Sequence, residues 1–94
     1  MPIRNFKDRY GPILFDGRCP RGFPPDLVKV ARRKLRALDA AAALGDLAGL
    51  PGNRLEKLKG NRAGQWSIRI NDQWRICFVW MDEGADDVEV VDYH

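Results

Sequence analysis

The most regular alternation of apolar and polar positions lies in two neighbouring runs near the middle of the chain. Apolar side chains occupy every second position of residues 65–70 and again of residues 73–80, and the end of the second run is apolar throughout. Alternation indicates a strand with one buried face, and an unbroken apolar run indicates a strand covered on both faces. The pattern predicts an antiparallel hairpin whose second strand is central in its sheet.

The register of this hairpin follows from the loop that unites the two apolar stripes. A two-residue loop at 71–72 would put the stripes on opposite faces of the sheet. A three-residue loop at 71–73 pairs Ile70 with Trp74 and puts both stripes on one face. The sequence therefore predicts the three-residue loop.

The same register places Arg69 opposite Arg75. Like charges that face each other across two strands are unfavourable unless an anion lies over them. The pair is a hint of a phosphate site. Alternatively, the two side chains turn into water or meet the acids of the final strand.

Two further strands are expected on either side of the hairpin. Residues 54–60 follow a Pro-Gly turn and are compatible with a strand, and residues 61–64 form a tight basic turn. Residues 87–92 alternate again and form the last strand, entered through residues 83–86.

The helical periodicity is clearest over residues 26–39. Pro25 and Asp26 are good helix openers, and Gly45 is expected to mark the end of the helix. The apolar stripe consists of Leu27, Ala31, Leu35 and Leu38, continued by Ala42.

A second, shorter helix is expected over residues 6–15, with a break at Gly11-Pro12. The elements together predict an α+β fold of two N-terminal helices packed on a three- to four-stranded antiparallel sheet.

Composition limits the class of protein. A chain of 94 residues forms one domain, residues 1–94, and 45% hydrophobic with 31% charged residues is typical of a soluble globular protein. No apolar run approaches the roughly 18–20 residues of a membrane span, and the N-terminus lacks a secretory signal, so we expect a cytoplasmic protein. Cys19 and Cys77 are 58 positions apart and form no metal-binding motif. We expect free thiols, with Cys77 buried, and neither metal nor cofactor.

The net charge of +3 is unevenly distributed. Residues 1–79 contain all sixteen Lys and Arg but only seven acids, a net charge of +9, whereas residues 80–94 contain six acids and no Lys or Arg. Such a basic body suits an anionic partner, either a nucleic acid or an acidic peptide. Neutralisation between neighbouring strands would explain the same numbers.

Three arginines lie on the helix away from its apolar stripe. Arg32, Arg33 and Arg36 form either a solvated face or a surface that binds an acidic partner or RNA phosphates.

The candidate chemistry is acid–base catalysis on an anion. The chain has neither a P-loop nor a dinucleotide fingerprint, and its only histidine, His94, is the last residue. Cleavage of RNA by its own 2′-OH needs a base, an acid and cations for the developing phosphorane charge. The groups able to exchange protons are Glu56, Asp92, Tyr93 and His94, and the cations able to hold a phosphate are Lys59, Arg62, Arg69 and Arg75.

Several motifs together resemble one known family. They are L-K-G-x-R at residues 58–62, G-x-W-S-I at 64–68, W-R-I at 74–76 and a terminal D-Y-H. With the basic helix, they are similar over nearly the whole chain to the HigB toxins of the RelE/ParE superfamily of type II toxin–antitoxin systems.

This resemblance implies a ribosome-dependent mRNA endonuclease that cleaves codons in the ribosomal A site. It implies neutralisation by a HigA-type helix-turn-helix antitoxin, and repression of their own operon by the pair. Asp92, Tyr93 and His94 would then be catalytic, with Lys59 and Arg75 near the scissile phosphate. Glu56 completes the catalytic set, and contacts with RNA or the ribosome are assigned to Arg32, Arg33, Arg36, Arg54, Lys57, Arg62 and Arg69.

Two positions depart from the family pattern. Glu56 stands where some members have a histidine, so it is either a base or a surface acid, and Asn61 stands where many have an aspartate. Two other functions fit the same fold: a ParE-like gyrase poison, and a non-catalytic member that binds only antitoxin and operator.

Overall fold

A four-stranded antiparallel sheet with its strands in chain order forms the centre of the fold. The computed structural model describes residues 2–50 and 52–92. The strands are β1 (Glu56–Lys57), β2 (Trp66–Arg69), β3 (Trp74–Met81) and β4 (Gly84–Asp92). With the helices described below, this sheet confirms the predicted α+β class.

The β2–β3 hairpin has the predicted register. Arg69 is paired with Arg75, and the Ile70 N–H donates to the Trp74 carbonyl at 2.9 Å. The Asn71 side chain closes the loop, because its Oδ1 accepts the backbone N–H groups of Gln73 and Trp74 at 2.9 and 2.7 Å. An Asx turn of this kind is a common reason for asparagine in a tight loop.

Strand β3 lies between β2 and β4, as predicted from its apolar run. Ile76, Cys77 and Phe78 are fully buried although consecutive residues of a strand point to opposite faces. The expected burial of Cys77 is therefore confirmed, and neither Cys19 nor Cys77 is in a disulfide.

The outer strands differ from the prediction in length. β4 begins at Gly84, because Asp82 and Glu83 form a tight two-residue turn with φ of 52° and 58°. β1 is only two residues long, since Arg54 has a left-handed φ of 45° and a 3₁₀ turn begins at Gly60. The predicted strand within residues 54–60 is therefore present, but its predicted length of seven residues was wrong.

The N-terminal segment adds a short parallel pairing to the outer edge of β4, which the sequence did not indicate. The Arg4 N–H donates to the Ala85 carbonyl at 2.9 Å, and the Lys7 N–H donates to the Val88 carbonyl at 2.8 Å. This pairing covers an edge that would otherwise present unpaired backbone groups.

In the described part of the chain, three α-helices accompany the sheet: α1 (Tyr10–Phe15), α2 (Val28–Ala40) and α3 (Leu44–Ala48). A 3₁₀ turn at Pro25–Leu27 leads directly into α2. The expected break at Gly11-Pro12 was wrong, because these residues lie in the first turn of α1, where the missing N–H of proline has no intrahelical partner to lose.

The predicted end of the long helix was also wrong. Ala41 has an extended ψ of 131°, so α2 ends at Ala40. Ala41 is buried and Ala42 is exposed, so Ala42 does not continue the apolar stripe, and Gly45 lies inside α3.

One apolar core joins the helices to one face of the sheet. It contains Leu14 of α1, three stripe residues of α2 and the inward side chains of the strands: Ala31, Leu35, Leu38, Ile68, Ile76, Phe78, Val88 and Val90. The stripe of α2 is thus confirmed for its three central members, while Leu27 is partly buried. Among the described residues, no helix is long and apolar enough to cross a membrane.

Candidate functional site

The sheet face opposite the helical core carries three of the predicted site residues, Glu56, Arg69 and Arg75. Side chains of paired residues point to the same face, so the register defines two rows across this polar face. One row is Glu56, Ser67, Cys77 and Glu89, and the other is Arg69, Arg75 and Val91.

Arg75 is held in place on the polar face by two neighbouring groups. Its Nε donates to Ser67 Oγ at 2.7 Å, and its Nη2 donates to the Arg54 carbonyl at 2.7 Å. Arg54 itself has a left-handed backbone conformation, with a φ of 45°. Since a guanidinium has five N–H donors, the Nη1 edge keeps two donors that no described residue accepts. Arg75 is therefore preoriented and can still bind an anion.

Arg69 has a different partner, although it lies opposite Arg75. Its Nη2 donates to Asp72 Oδ1 within the hairpin loop. The hydrogen bond and charge of Arg69 lower the pKa of the Asp72 carboxyl group. The repulsion between the two arginines is thus relieved by an acid of the loop and not by the final strand.

An acid of the final strand does meet a predicted cation, namely Arg62. Its Nη1 donates to Glu89 Oε1 at 2.7 Å and to Gln65 Oε1 at 3.0 Å. The Lys7 ammonium lies 3.9 Å from the same Glu89 oxygen. Arg62 therefore ties the 3₁₀ turn at Gly60–Arg62 to β4 across the polar face.

A groove of about 420 Å³ lies along β1, beside the polar face. Glu56, Lys57, Leu58 and Lys59 line it. Glu56 and the two lysines are exposed, and the Lys57 ammonium lies 5.9 Å from the centre of the Trp66 ring. An acid and two cations thus share one open groove, which suits the binding of a phosphate backbone.

Asp92 lies at the end of β4 on the other side of the sheet. Its cross-strand partner is Trp74, whereas Arg75 is paired with Val91, so Asp92 and Arg75 point to opposite faces. Asp92 is exposed, and its Oδ2 accepts a hydrogen bond from Gln73 Nε2 at 3.1 Å. The other two predicted catalytic residues, Tyr93 and His94, lie outside the described residues.

The helix arginines separate into two groups. Arg32 Nε and Arg36 Nη2 donate to the Phe15 carbonyl at 3.3 and 3.2 Å, and the Arg36 guanidinium lies 4.0 Å from the centre of the Phe15 ring. Both side chains therefore hold the end of α1, where unpaired carbonyls favour cations. Arg33 has no part in this contact and lines a separate cleft near residue 50.

Sequence reasoning missed the groups that hold the cations in place. Ser67 alternates with Arg69 along β2, so the strand pattern already placed it on the face of Arg75. Glu89 could be found only through the register of β4, and the Arg54 carbonyl gives no sequence signal because any residue has one.

The fold and the site define an α+β domain whose antiparallel sheet presents two paired arginines on its polar face and has a groove with two lysines at its edge. Over residues 4–94, the chain matches the family model described as the RelE-like toxin of the type II toxin–antitoxin system HigB. The chain belongs to this family of HigB-like toxins, which confirms the resemblance seen in its motifs.

Two curated relatives are similar along most of the chain. Toxin HigB-1 of Vibrio cholerae serotype O1 is 44% identical over 78 residues, which cover 82% of each chain. Endoribonuclease HigB of Proteus vulgaris is 34% identical over 96 residues, which cover 98% of this chain and 99% of the relative.

The solved structures agree on the fold. The YoeB–YefM complex of Staphylococcus aureus matches with a TM-score of 0.60 at 24% identity, over 98% of this chain and 94% of that one. A heterotetrameric YoeB–YefM toxin–antitoxin complex from the same organism matches with a TM-score of 0.51 at 29% identity, over 72% and 71% of the two chains.

Proposed function

We propose that this chain is a metal-independent endoribonuclease that cleaves translated mRNA in the ribosomal A site and so inhibits translation and growth. The observation that carries the proposal is the anchored Arg75, whose Nη1 donates no hydrogen bond to a described residue. A preoriented guanidinium is suited to stabilise charge that develops on a phosphate. Membership of the HigB-like toxins and a relative named as an endoribonuclease support the same activity.

The proposed reaction is an internal transesterification. A base removes the proton of the 2′-OH, the 2′ oxygen attacks the adjacent phosphorus, and the bond from phosphorus to the 5′ oxygen breaks as an acid donates a proton to that oxygen. The products are a 2′,3′-cyclic phosphate and a 5′-hydroxyl. Because the substrate supplies its own nucleophile, the protein needs only proton transfer and cations.

The roles follow from the chemistry of each group. Asp92 or His94 transfers protons, Tyr93 positions or stacks on a base, and Arg75 and Lys59 stabilise the phosphate. Glu56 is placed in the β1 groove beside Lys59 and either acts as a base or remains a surface acid.

The remaining cations are assigned to contact with RNA or the ribosome. Lys57 lines the groove along β1. Arg62 and Arg69 are ion-paired with Glu89 and Asp72, respectively, and would contact RNA or the ribosome from within these pairs. Arg54 contributes through its side chain as well as through its carbonyl. Arg32, Arg33 and Arg36 would extend the basic surface along α2.

The proposed partner is a HigA-type helix-turn-helix antitoxin that neutralises the toxin in the cytoplasm. The pair would bind its own operator DNA through the antitoxin. The family's place in type II toxin–antitoxin systems supports an antitoxin partner in general. A matching antitoxin gene beside the toxin gene, whose product co-purifies with this chain and suppresses its toxicity, would support the HigA assignment.

The test is the mapping of mRNA 5′ ends after pulsed expression of the wild type, of Asp92→Asn and of a chain without His94. We expect 5′-hydroxyl ends within translated codons for the wild type and strong loss of these ends in both variants. The 5′-hydroxyl distinguishes transesterification from metal-dependent hydrolysis that leaves a 5′-phosphate.

Two outcomes would contradict the proposal. Intact mRNA together with inhibited DNA supercoiling would favour a gyrase poison. Undiminished cleavage by both variants would remove Asp92 and His94 from the catalytic set.

A further inference from the structure

A cleft of about 320 Å³ lies between α2 and the segment that follows α3, away from the polar face. Arg33, Lys34, Ala37, Leu50 and Asn53 line it. Leu50 is one of only two large hydrophobic residues that are exposed in the described part of the chain, at 43%. The cleft thus combines an apolar rim with two cations and one amide.

The charge of Lys34 is the unusual feature of this cleft. The residue is only 8% exposed, and among the described residues its ammonium has a single acceptor, Asn53 Oδ1, at 2.7 Å. Burial lowers the pKa of Lys34, and the nearby charges of Arg33 and Arg69 lower it further. An ammonium has three donors, and buried charges are ordinarily paired with an opposite charge.

Asn53 fixes the floor of the cleft before any ligand binds. Its Nδ2 donates to the Leu47 carbonyl at 3.2 Å, and its own carbonyl accepts the Arg69 N–H at 2.6 Å. Asn53 is therefore held by α3, by β2 and by Lys34 of α2 at once. A site built on such fixed groups loses little conformational freedom on binding.

We propose that this cleft binds the carboxylate of an acidic side chain carried by an apolar segment of a protein partner. The carboxylate would accept hydrogen bonds from the remaining Lys34 donors and from Arg33, and the neighbouring apolar side chains of the partner would pack on Ala37 and Leu50. This inference does not depend on RNA cleavage, because the cleft shares no residue with the groove along β1 and only Arg33 of its lining is among the proposed RNA or ribosome contacts.

The apolar rim favours a protein segment over RNA. A sugar–phosphate backbone is hydrophilic and binds best to exposed cations, whereas Ala37 and Leu50 offer it no hydrogen bond. An amphipathic acidic segment uses both parts of the cleft, since charge complementarity sets its position and apolar contact adds affinity.

The test is a titration of the isotope-labelled full chain, followed by nuclear magnetic resonance. The probes are the blocked peptide acetyl-Leu-Glu-Leu-amide, its Gln analogue, inorganic phosphate and a short single-stranded RNA. We expect the Glu peptide to shift the resonances of Ala37, Leu50, Asn53 and the Lys34 ammonium, with at least tenfold weaker binding of the Gln peptide. Such a difference corresponds to about 1.4 kcal/mol.

Variants separate binding from folding. Arg33→Gln and Leu50→Ala change exposed positions, and each should weaken binding of the Glu peptide at least threefold. Lys34→Met should abolish the preference for the Glu peptide over the Gln peptide. Lys29→Gln removes an exposed charge from the same helix outside the cleft and should leave binding unchanged.

Three outcomes would overturn the proposal. The first is equal binding of the Glu and Gln peptides. The second is the absence of shifts in these residues at about 10 mM peptide, a concentration far above the dissociation constants of specific complexes. The third is occupation of the cleft by RNA or phosphate in preference to the peptide.

Discussion

At the scale of single residues, Arg75 depends on the shape of its side chain as well as on its charge. Nε and Nη2 bind Ser67 and the Arg54 carbonyl at once, and only a planar guanidinium can do this while presenting a third edge. In Arg75→Lys, the ammonium keeps the charge but loses this fixed orientation. We expect the rate of cleavage of ribosome-bound mRNA to fall about 100-fold, because a misplacement of about 1 Å can cost this much. The measurement is the rate of 5′-end formation on purified ribosomes.

The matched control is Arg18→Lys. Arg18 is exposed and forms only a 3.5 Å ion pair with Asp16 in a loop distant in sequence from the site. This variant should cleave at the wild-type rate. Wild-type activity in Arg75→Lys would mean that the charge alone suffices and that the anchoring of the guanidinium has no catalytic value.

Asn53 is buried, and its loss should lower the stability of the fold. Asn53→Ala would leave the Lys34 ammonium without its acceptor among the described residues, whereas the Leu47 carbonyl would keep the Leu50 N–H. Unsatisfied buried polar groups typically destabilise a fold, so we expect the free energy of unfolding to fall by about 1–3 kcal/mol. Urea denaturation measures this change, and Asn61→Ala, at an exposed turn position, serves as the control.

The double variant Asn53→Ala/Lys34→Met tests the cause. If the penalty comes from the stranded ammonium, the double variant loses less stability than the sum of the single changes. Additive losses would show that the two side chains act independently.

At the scale of elements, α1 and α3 offer a matched pair of glycines at their second positions. A Cβ on Gly11 would lie 2.3 Å from Phe6 Cδ1, whereas nothing lies within 4 Å of a Cβ on Gly45. Gly11→Ala should therefore destabilise the protein by about 1–3 kcal/mol through overpacking. Gly45→Ala should stabilise it by about 0.4–1 kcal/mol, because it restricts the unfolded chain without a clash. Thermal unfolding of both variants measures the contrast, and a stabilising Gly11→Ala would mean that the Phe6 ring moves aside readily.

The attachment of the N-terminal segment to β4 should weaken in acid. Arg4 donates to both carboxylate oxygens of Asp86, at 2.9 and 3.0 Å, and this contact lowers the pKa of Asp86. A lowered acid pKa means that the contribution to stability is present above the unfolded-state pKa, near 3.9, and is lost as the pH falls through the lower folded-state value. The stability advantage of wild type over Asp86→Asn should therefore be constant from pH 7 to 5 and decrease as the pH falls below the unfolded-state pKa. An advantage that does not decrease in acid would mean that it comes from the shape of the side chain and not from its charge.

The elements also show where the sequence was informative. The β2–β3 hairpin could be predicted with its register, because a shift by one residue would expose an entire apolar stripe. The contacts of Arg4 with Asp86 could not, because they join residues 82 positions apart and no local pattern selects β4 as the partner.

The candidate site divides in the same way. Arg69 and Arg75 could be placed opposite each other on one sheet face by the register of the hairpin. The engagement of Arg32 and Arg36 by the Phe15 carbonyl could not be foreseen, because it depends on where α1 ends.

At the scale of the whole molecule, part of the uneven charge is neutralised within the fold. The acids of β4 meet bases from distant segments, as in the pairs Arg4–Asp86 and Arg62–Glu89. Lys59, by contrast, is exposed in the β1 groove and forms no ion pair with a described residue. The charge that is available to an anionic partner is therefore smaller than the sequence total suggests, and the groove along β1 contributes two exposed lysines, Lys57 and Lys59, to it.

This distribution predicts how RNA binding depends on salt. Each phosphate neutralised on a single strand changes the slope of log K against log salt by about 0.7. Lys59→Gln should reduce the magnitude of that slope by about this amount for a short single-stranded RNA, measured by fluorescence anisotropy between about 50 and 200 mM salt. Lys29→Gln removes the same charge from α2, outside the groove, and should leave the slope unchanged. If both variants reduced the slope equally, RNA would be attracted by net charge alone, and the groove along β1 would not be its binding site.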